Sequence, residues 1–224
     1  MNIKSKTIFQ NSRIGKQGCL FCDPIDGMQI HKTDNFQVLI DTFPIVPGHM
    51  MISSLAHFGS AGEIPKPMQE ELQDLKNQLS YNARSFSGCH VFYEHGRAGS
   101  CMKTNPNTSK CEHFHLHCLP VDISITQKLQ EKFDCIKMTT YDNIASLFLE
   151  HGSYLYFEEN DGSMYFFPAE DQTVESHLLR TLLCEALGIS NRQDWENYTD
   201  YTLFMTSFEL INACIHFYEE AKIV

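Results

Sequence analysis

Between Glu112 and Pro120 the chain reads EHFHLHCLP, and this run constrains the fold more tightly than any other segment. His113, His115 and His117 alternate with Phe114, Leu116 and Cys118. Period two is the period of a β-strand, whose successive side chains point to opposite faces. On a strand the three imidazoles share one face, with neighbours roughly 6.5–7 Å apart along it. Phe114, Leu116 and Cys118 share the other face and can join a core. One side of such a strand is built for packing and the other for chemistry.

The rest of the chain supplies partners for this strand. Phe36–Asp41 (FQVLID) reads as a strand, TFPIVPG after it as a turn broken by two prolines and a glycine, and HMMISS as a second extended run. Pro67 suits the first position of a helix. Met68, Leu72, Leu75 and Leu79 then fall on one helical face. Cys89–Glu94 (CHVFYE) is another strand. Residues 96–110 lack apolar periodicity and are rich in Gly, Asn, Ser and Thr, which predicts a long loop of the kind that often carries function. Beyond about residue 140 the character changes. Tyr154–Phe157 and Met164–Phe167 flank Asn160-Asp161-Gly162, a hairpin signal. Ser176–Leu187, stopped by Gly188, and Thr202–Glu220 read as helices.

With 224 residues the chain can bury roughly 70% of its unfolded surface and needs no disulfides to hold a core. A formal net charge of −11 argues against a general electrostatic grip on DNA or RNA duplexes. It leaves room for a small phosphorylated ligand, because one pocket can be positive on an acidic protein. No run reaches the roughly 18 apolar residues of a membrane span, and the N-terminus lacks the apolar stretch of a signal peptide. A cytoplasmic location is expected. The nine cysteines are odd in number and scattered singly, except Cys19 and Cys22. That pair is either a redox couple or half of a zinc site.

Three segments together resemble the histidine-triad family. HFHLHCL at 113–119 is similar to its signature of alternating histidines. DTFPIVPGHMMISSLAH at 41–57 is similar to its acidic turn, strand and later histidine, and CLFC at 19–22 to the CxxC of many members. The resemblance implies an α+β fold, in which an antiparallel sheet carries a long helix. Residues 1–140 would form the catalytic domain and 141–224 a C-terminal α/β extension. It also implies a homodimer for most members. The middle histidine, His115, becomes the nucleophile that attacks a nucleotide α-phosphate. It has to be neutral, with its other ring nitrogen held by a backbone carbonyl. His117 would assist phosphate binding or proton transfer, and histidine at that position is the habit of hydrolases rather than transferases. Asp41 would bind ribose hydroxyls, with Phe21, Leu39 and Thr42 lining the base pocket. Family members with the CxxC bind a structural zinc, and here the ligands would be Cys19, Cys22, His57 and His113, with His49 the alternative histidine.

FYEHG at 92–96 resembles a larger-bodied branch of the same family. It adds Glu94, His95 and Arg97 to the phosphate end of the pocket, with Lys103 a further nearby cation. Ser109 lies close to a position that contacts phosphate or leaving group in many members. The extension, with VESHLLRTLLCEALG and Trp195, would cap the site, shape the leaving-group side or block the usual dimer surface. His177 and Arg180 are its polar residues most suited to face the pocket. The function expected is hydrolysis of a nucleoside 5′-phosphate from a leaving group through a nucleotidyl-histidine. The alternatives are a transferase or phosphorylase with the same intermediate, and a nucleotide-binding sensor or scaffold.

Overall fold

The alternating histidine run forms β5 (His115–Leu119), an interior strand of one antiparallel sheet. A computed structural model describes residues 19, 21–24, 27–99, 113–170, 173–194 and 200–217. The other strands are β1 (Gln29–Lys32), β2 (Phe36–Ile40), β3 (Met50–Ser54), β4 (Val91–Gly96), β6 (Ile136–Met138), β7 (Tyr154–Glu158) and β8 (Met164–Pro168). Their order is β1-β2-β3-β5-β4-β7-β8-β6. β5 is flanked by β3, with Ser53 opposite His115 and Met51 opposite His117, and by β4, with Tyr93 opposite His117. The expected strand at 89–94 is displaced to 91–96, because Cys89 is held in the turn that ends the preceding helix by Ser87.

The strands after residue 140 add to this same sheet. β7 pairs along β4 and β8 along β7, and β6 closes the row against β8. The sheet is therefore continuous across the expected boundary at residue 140. β7 also occupies the second edge of β4, so β4 cannot pair edge to edge with another copy of the chain.

One face of the sheet is covered by helices α1 (Lys66–Ser87), α3 (Asn143–His151) and α5 (Tyr201–Cys214). Leu72, Leu75 and Leu79 of α1 are buried on it, each contributing about 1.5–3 kcal/mol. They meet Val38, Ile40, Ile52, Leu116 and Cys118. Pro67 stands in the first turn of α1, and Gly88 ends the helix in the left-handed conformation. Helix α5 is shorter than its apolar pattern implied and ends at Cys214. The opposite face carries the histidines. It is covered in part by α2 (Thr126–Gln130) and by α4 (Leu178–Ala186), whose leucines pack on Tyr93, Leu155, Phe157 and Phe167.

The helical face hides polar groups that the apolar pattern did not disclose. Lys76 lies on the buried stripe of α1 and meets Glu158 at 2.5 Å, and Tyr156 donates to the same carboxylate oxygen. Glu94 belongs to this face as well, since it alternates with Tyr93 and His95. Its carboxyl accepts hydrogen bonds from the Ala61 N–H at 2.8 Å and the Tyr154 hydroxyl at 3.0 Å. Gly96 makes this possible, because a Cβ there would stand 2.1 Å from the Tyr154 ring. The Glu-His-Gly run is thus divided: Glu94 and Gly96 serve the helical face and His95 the histidine face.

Burial pushes the Glu94 carboxyl up to about 8, against the opposing effect of its two hydrogen bonds. Glu94 is therefore neutral when folded and ionised when unfolded between pH 4.5 and about 8, and stability declines as pH rises through that window. Glu94→Gln keeps the acceptor and removes the ionisation. Calorimetry is expected to show little difference between the two proteins at pH 5 and a variant about 2–4 °C more stable at pH 8. A melting difference that does not change with pH would contradict the assignment.

Candidate active site

β5 presents His115 and His117 on the open part of the histidine face. The Nδ1 of His115 lies 2.8 Å from the carbonyl oxygen of His113. A carbonyl only accepts, so Nδ1 carries the proton and Nε2 keeps its lone pair. This is the backbone contact expected for the middle histidine. Phe21 stacks on the His115 ring with centroids 4.7 Å apart. The segment bearing Phe21 is pinned to the sheet by Gln37, whose Nε2 donates to the Phe21 carbonyl at 2.6 Å and to Ser53 at 3.1 Å. Burial lowers the basicity of both His115 and His117, and each is lowered further by its neighbouring histidines, so both rings are neutral at neutral pH.

His117 is held by Tyr93 and His49. Tyr93 on β4 stacks on it almost parallel, with centroids 4.3 Å apart and planes 5° apart. Its Nδ1 lies 2.9 Å from Nε2 of His49, and His49 Nδ1 lies 3.2 Å from Asp41. The carboxylate is the strongest acceptor in the row. His49 Nδ1 also faces the Ile45 N–H at 3.3 Å, and the two partners make opposite demands on it. The charged carboxylate is the stronger of the two, and with the Nδ1 proton directed to it His117 donates to His49 and His117 Nε2 is left to accept a proton. The turn between β2 and β3 sets this geometry. Asp41 accepts from the Phe43 N–H at 2.7 Å, and Ser207 of α5 accepts from the Gly48 N–H at 2.9 Å. Gly48 is required there by φ +83° and by the Phe86 ring, 2.9 Å from where a Cβ would stand.

His49 is the residue that sequence reasoning undervalued, as an alternative metal ligand. It is fully buried, and burial lowers its pKa to about 4. Its signal was the parity of the β3 run, which puts His49 on the same face as Met51 and Ser53. Asp41 faces the site but is already engaged with His49 and the turn. Leu39 is buried beside it, and Thr42 is half-buried in the turn.

His95 reaches the histidine face next to His115, where its Nε2 accepts from the Leu179 N–H at 3.4 Å. Glu94 does not come to the site, because strand alternation carries it to the helical face. The placement of Glu94 in the phosphate pocket is corrected accordingly. Arg97 pairs with Glu63 in the 3-10 turn Ala61–Glu63. Ser109, Lys103 and Trp195 lie outside the described residues.

At the other end of the histidine row, Cys19, Cys22, His57 and His113 bring their donor atoms within 4.8 Å of one another. The sulfurs lie 3.3 and 3.7 Å from His113 Nδ1. Ligands of a tetrahedral ion with bonds of about 2.0–2.3 Å stand roughly 3.5 Å apart. His113 Nε2 donates to the Ser54 carbonyl at 2.6 Å, which leaves Nδ1 unprotonated toward the sulfurs. The CxxC turn is closed by the N–H groups of Cys22 and Asp23, both 3.2 Å from the Cys19 carbonyl.

Residues 12–134, more than half of the chain, match the family described as protein similar to CwfJ C-terminal. The chain belongs to this family. The CwfJ C-terminal-like family is histidine-triad-like, in agreement with the resemblance carried by the three motifs. The matched segment ends before α3, β7, β8, α4 and α5. No curated protein matches the chain. Similar solved structures include a hypothetical histidine triad nucleotide-binding protein from Sulfolobus tokodaii, 18% identical with TM-score 0.36 over 46% of this chain and 68% of that one. A HIT family protein from Bacillus anthracis is 16% identical with TM-score 0.36 over 61% and 98%. A hypothetical protein from Leishmania major is 17% identical with TM-score 0.39 over 59% and 92%. Likeness at this level adds no weight to the family match. No helix among the described residues is long and apolar enough to cross a membrane.

In this CwfJ C-terminal-like protein the two-cysteine, two-histidine cluster can hold a metal ion. Elemental analysis of protein purified without chelator is expected to give about one ion per chain. Joint Cys19→Ser and Cys22→Ser substitution should remove the ion and lower the melting temperature. Wild-type protein without metal, melting like the double variant, would contradict the site.

Proposed function

We propose that this protein is a nucleotide hydrolase, cleaving a nucleoside 5′-phosphate from its leaving group through a nucleotidyl-His115 intermediate. The observation that carries the reading is the state of the His115 ring. Its Nδ1 proton is committed to the His113 carbonyl, so an unprotonated Nε2 faces the site. In the first step that lone pair bonds to the α-phosphorus as the bond to the leaving group breaks. In the second step a water oxygen displaces His115. His117 Nε2 takes the water proton, and the N–P electron pair returns to His115. The Asp41–His49–His117 row suits that proton acceptor, because the buried carboxylate stabilises positive charge passed along two imidazoles.

Asp41 keeps lone pairs beyond those used by Phe43 and His49, and in this reading they accept ribose hydroxyls. Phe21, Leu39 and Thr42 form the wall for the base, and His95 and Ser109 contact phosphate. Two thiolates and two imidazoles are a donor set suited to zinc. Zinc held by Cys19, Cys22, His57 and His113 would have no open coordination position, and its contribution would be structural. His113 would then fix the carbonyl that orients His115.

The test is product formation from a panel of dinucleoside polyphosphates and nucleoside phosphoramidates, followed by chromatography. Wild-type protein should release a nucleoside monophosphate. His115→Ala should lose on the order of 10³-fold or more in turnover while keeping its metal and its cooperative melting. Comparable turnover by the variant would end the nucleophile assignment.

A further inference from the structure

Helix α4 reaches the histidine face from the C-terminal part of the chain, beyond the segment that matches the family. Its leucines anchor it on β4, β7 and β8, and its first turn stands over the site, where the Leu179 N–H meets His95. The next residue is Arg180, with only 8% of its surface exposed. Its Nε donates to the Arg192 carbonyl at 3.0 Å. Arg192 in turn donates to the Ile45 carbonyl at 2.6 Å, and the Ile45 N–H points at His49 Nδ1 from 3.3 Å. Arg180 is thereby tied to the turn that carries His49.

A guanidinium is always charged and offers five donors. Buried charges are ordinarily paired, because desolvation penalises a lone one. Among the described residues no carboxylate pairs with Arg180: Asp41 is engaged with His49, and Asp200 lies 3.8 Å from Arg192. The terminal amino groups of the Arg180 fork have no acceptor among the described residues. Its charge is felt in the site, since it adds to burial in lowering His49 and His117. A buried cation whose charge reaches the histidines, with no counter-ion among the described residues, is an arrangement that an incoming anion completes.

We propose that Arg180 is the binding residue of a leaving-group subsite, and that it selects substrates whose leaving group is itself a phosphate over those with an amine leaving group. The proposal rests on the hydrolase reading above. When His115 Nε2 bonds to the α-phosphorus, the electron pair of the broken P–O bond stays on the departing phosphate oxygen. The departing group leaves as an anion, needs no proton, and meets the Arg180 fork in bidentate fashion. An amine needs a proton as it departs. A guanidinium stays charged and has no proton to give, so the fork that assists an anionic leaving group does nothing for an amine.

The test compares kcat/KM for dinucleoside triphosphates and for nucleoside phosphoramidates of the same base, in wild-type protein and in Arg180→Gln. Wild-type protein should prefer the anhydride. Arg180→Gln should lower kcat/KM for the anhydride by about 30-fold, as loss of charge-assisted hydrogen bonds does, with a change of about threefold or less for the phosphoramidate. Equal losses on both substrates, or a wild-type preference for the phosphoramidate, would overturn the subsite. If Arg180→Gln does not fold, Arg180→Lys keeps the charge without the fork, and it should show a selective but smaller loss on the anhydride; an equal loss on both substrates again overturns the proposal. If wild-type protein turns over neither substrate, the hydrolase reading fails and inorganic pyrophosphate becomes the probe. Calorimetric binding of pyrophosphate that is lost in Arg180→Gln retains the subsite, and absent or unchanged binding removes it.

Discussion

The structure depends on β5 being paired on both sides. β3 and β4 bracket it in antiparallel register, so the side chains of residues 115–119 have no rotational freedom about the strand. A slip of one residue would exchange the two faces, burying His115 and His117 under α1 and turning Leu116 and Cys118 toward the site. The apolar face prevents the slip, since Leu116 and Cys118 are fully buried against α1 and its neighbours. Packing on one side of the sheet thus fixes the chemistry on the other.

The histidine row is then held at both ends. At one end His113 joins the CxxC turn and His57, and its carbonyl orients His115. At the other end Asp41 and His49 orient His117. The two anchors come from different segments, the N-terminal knuckle and the turn between β2 and β3, and each sets a ring tautomer through a fixed acceptor. The region after residue 140 is part of the same construction. β7 completes the pairing of β4, α5 steadies the turn before His49 through Ser207, and α4 roofs the site.

The parts of this arrangement that were readable in the sequence are those governed by short-range periodicity. The alternation at 113–118, the leucine stripe of α1 and the hairpin at Asn160-Asp161-Gly162 each follow from local rules. The cluster of Cys19, Cys22, His57 and His113 was legible through three motifs taken together. What was not legible depends on contacts between distant segments. Glu94 next to His95 gave no indication that the two would serve opposite faces until the register of β4 against β5 and β7 was known. Lys76 occupies an apolar helical position because Glu158, 82 residues later, lies beneath it. His49 acquires its role only when the turn folds back beside His117, and Arg180 only when α4 crosses the sheet.

The central claim is a covalent bond between His115 and a nucleotide, and intact mass tests it most directly. Metal-loaded protein would be mixed briefly with the nucleotide panel at near-stoichiometric ratio and quenched under alkaline denaturing conditions, because N–P bonds are labile in acid. A mass gain equal to one nucleoside monophosphoryl group is expected, located on His115 by peptide mapping and absent from His115→Ala. Release of product with no adduct at any mixing time, or an adduct that persists in His115→Ala, would contradict it.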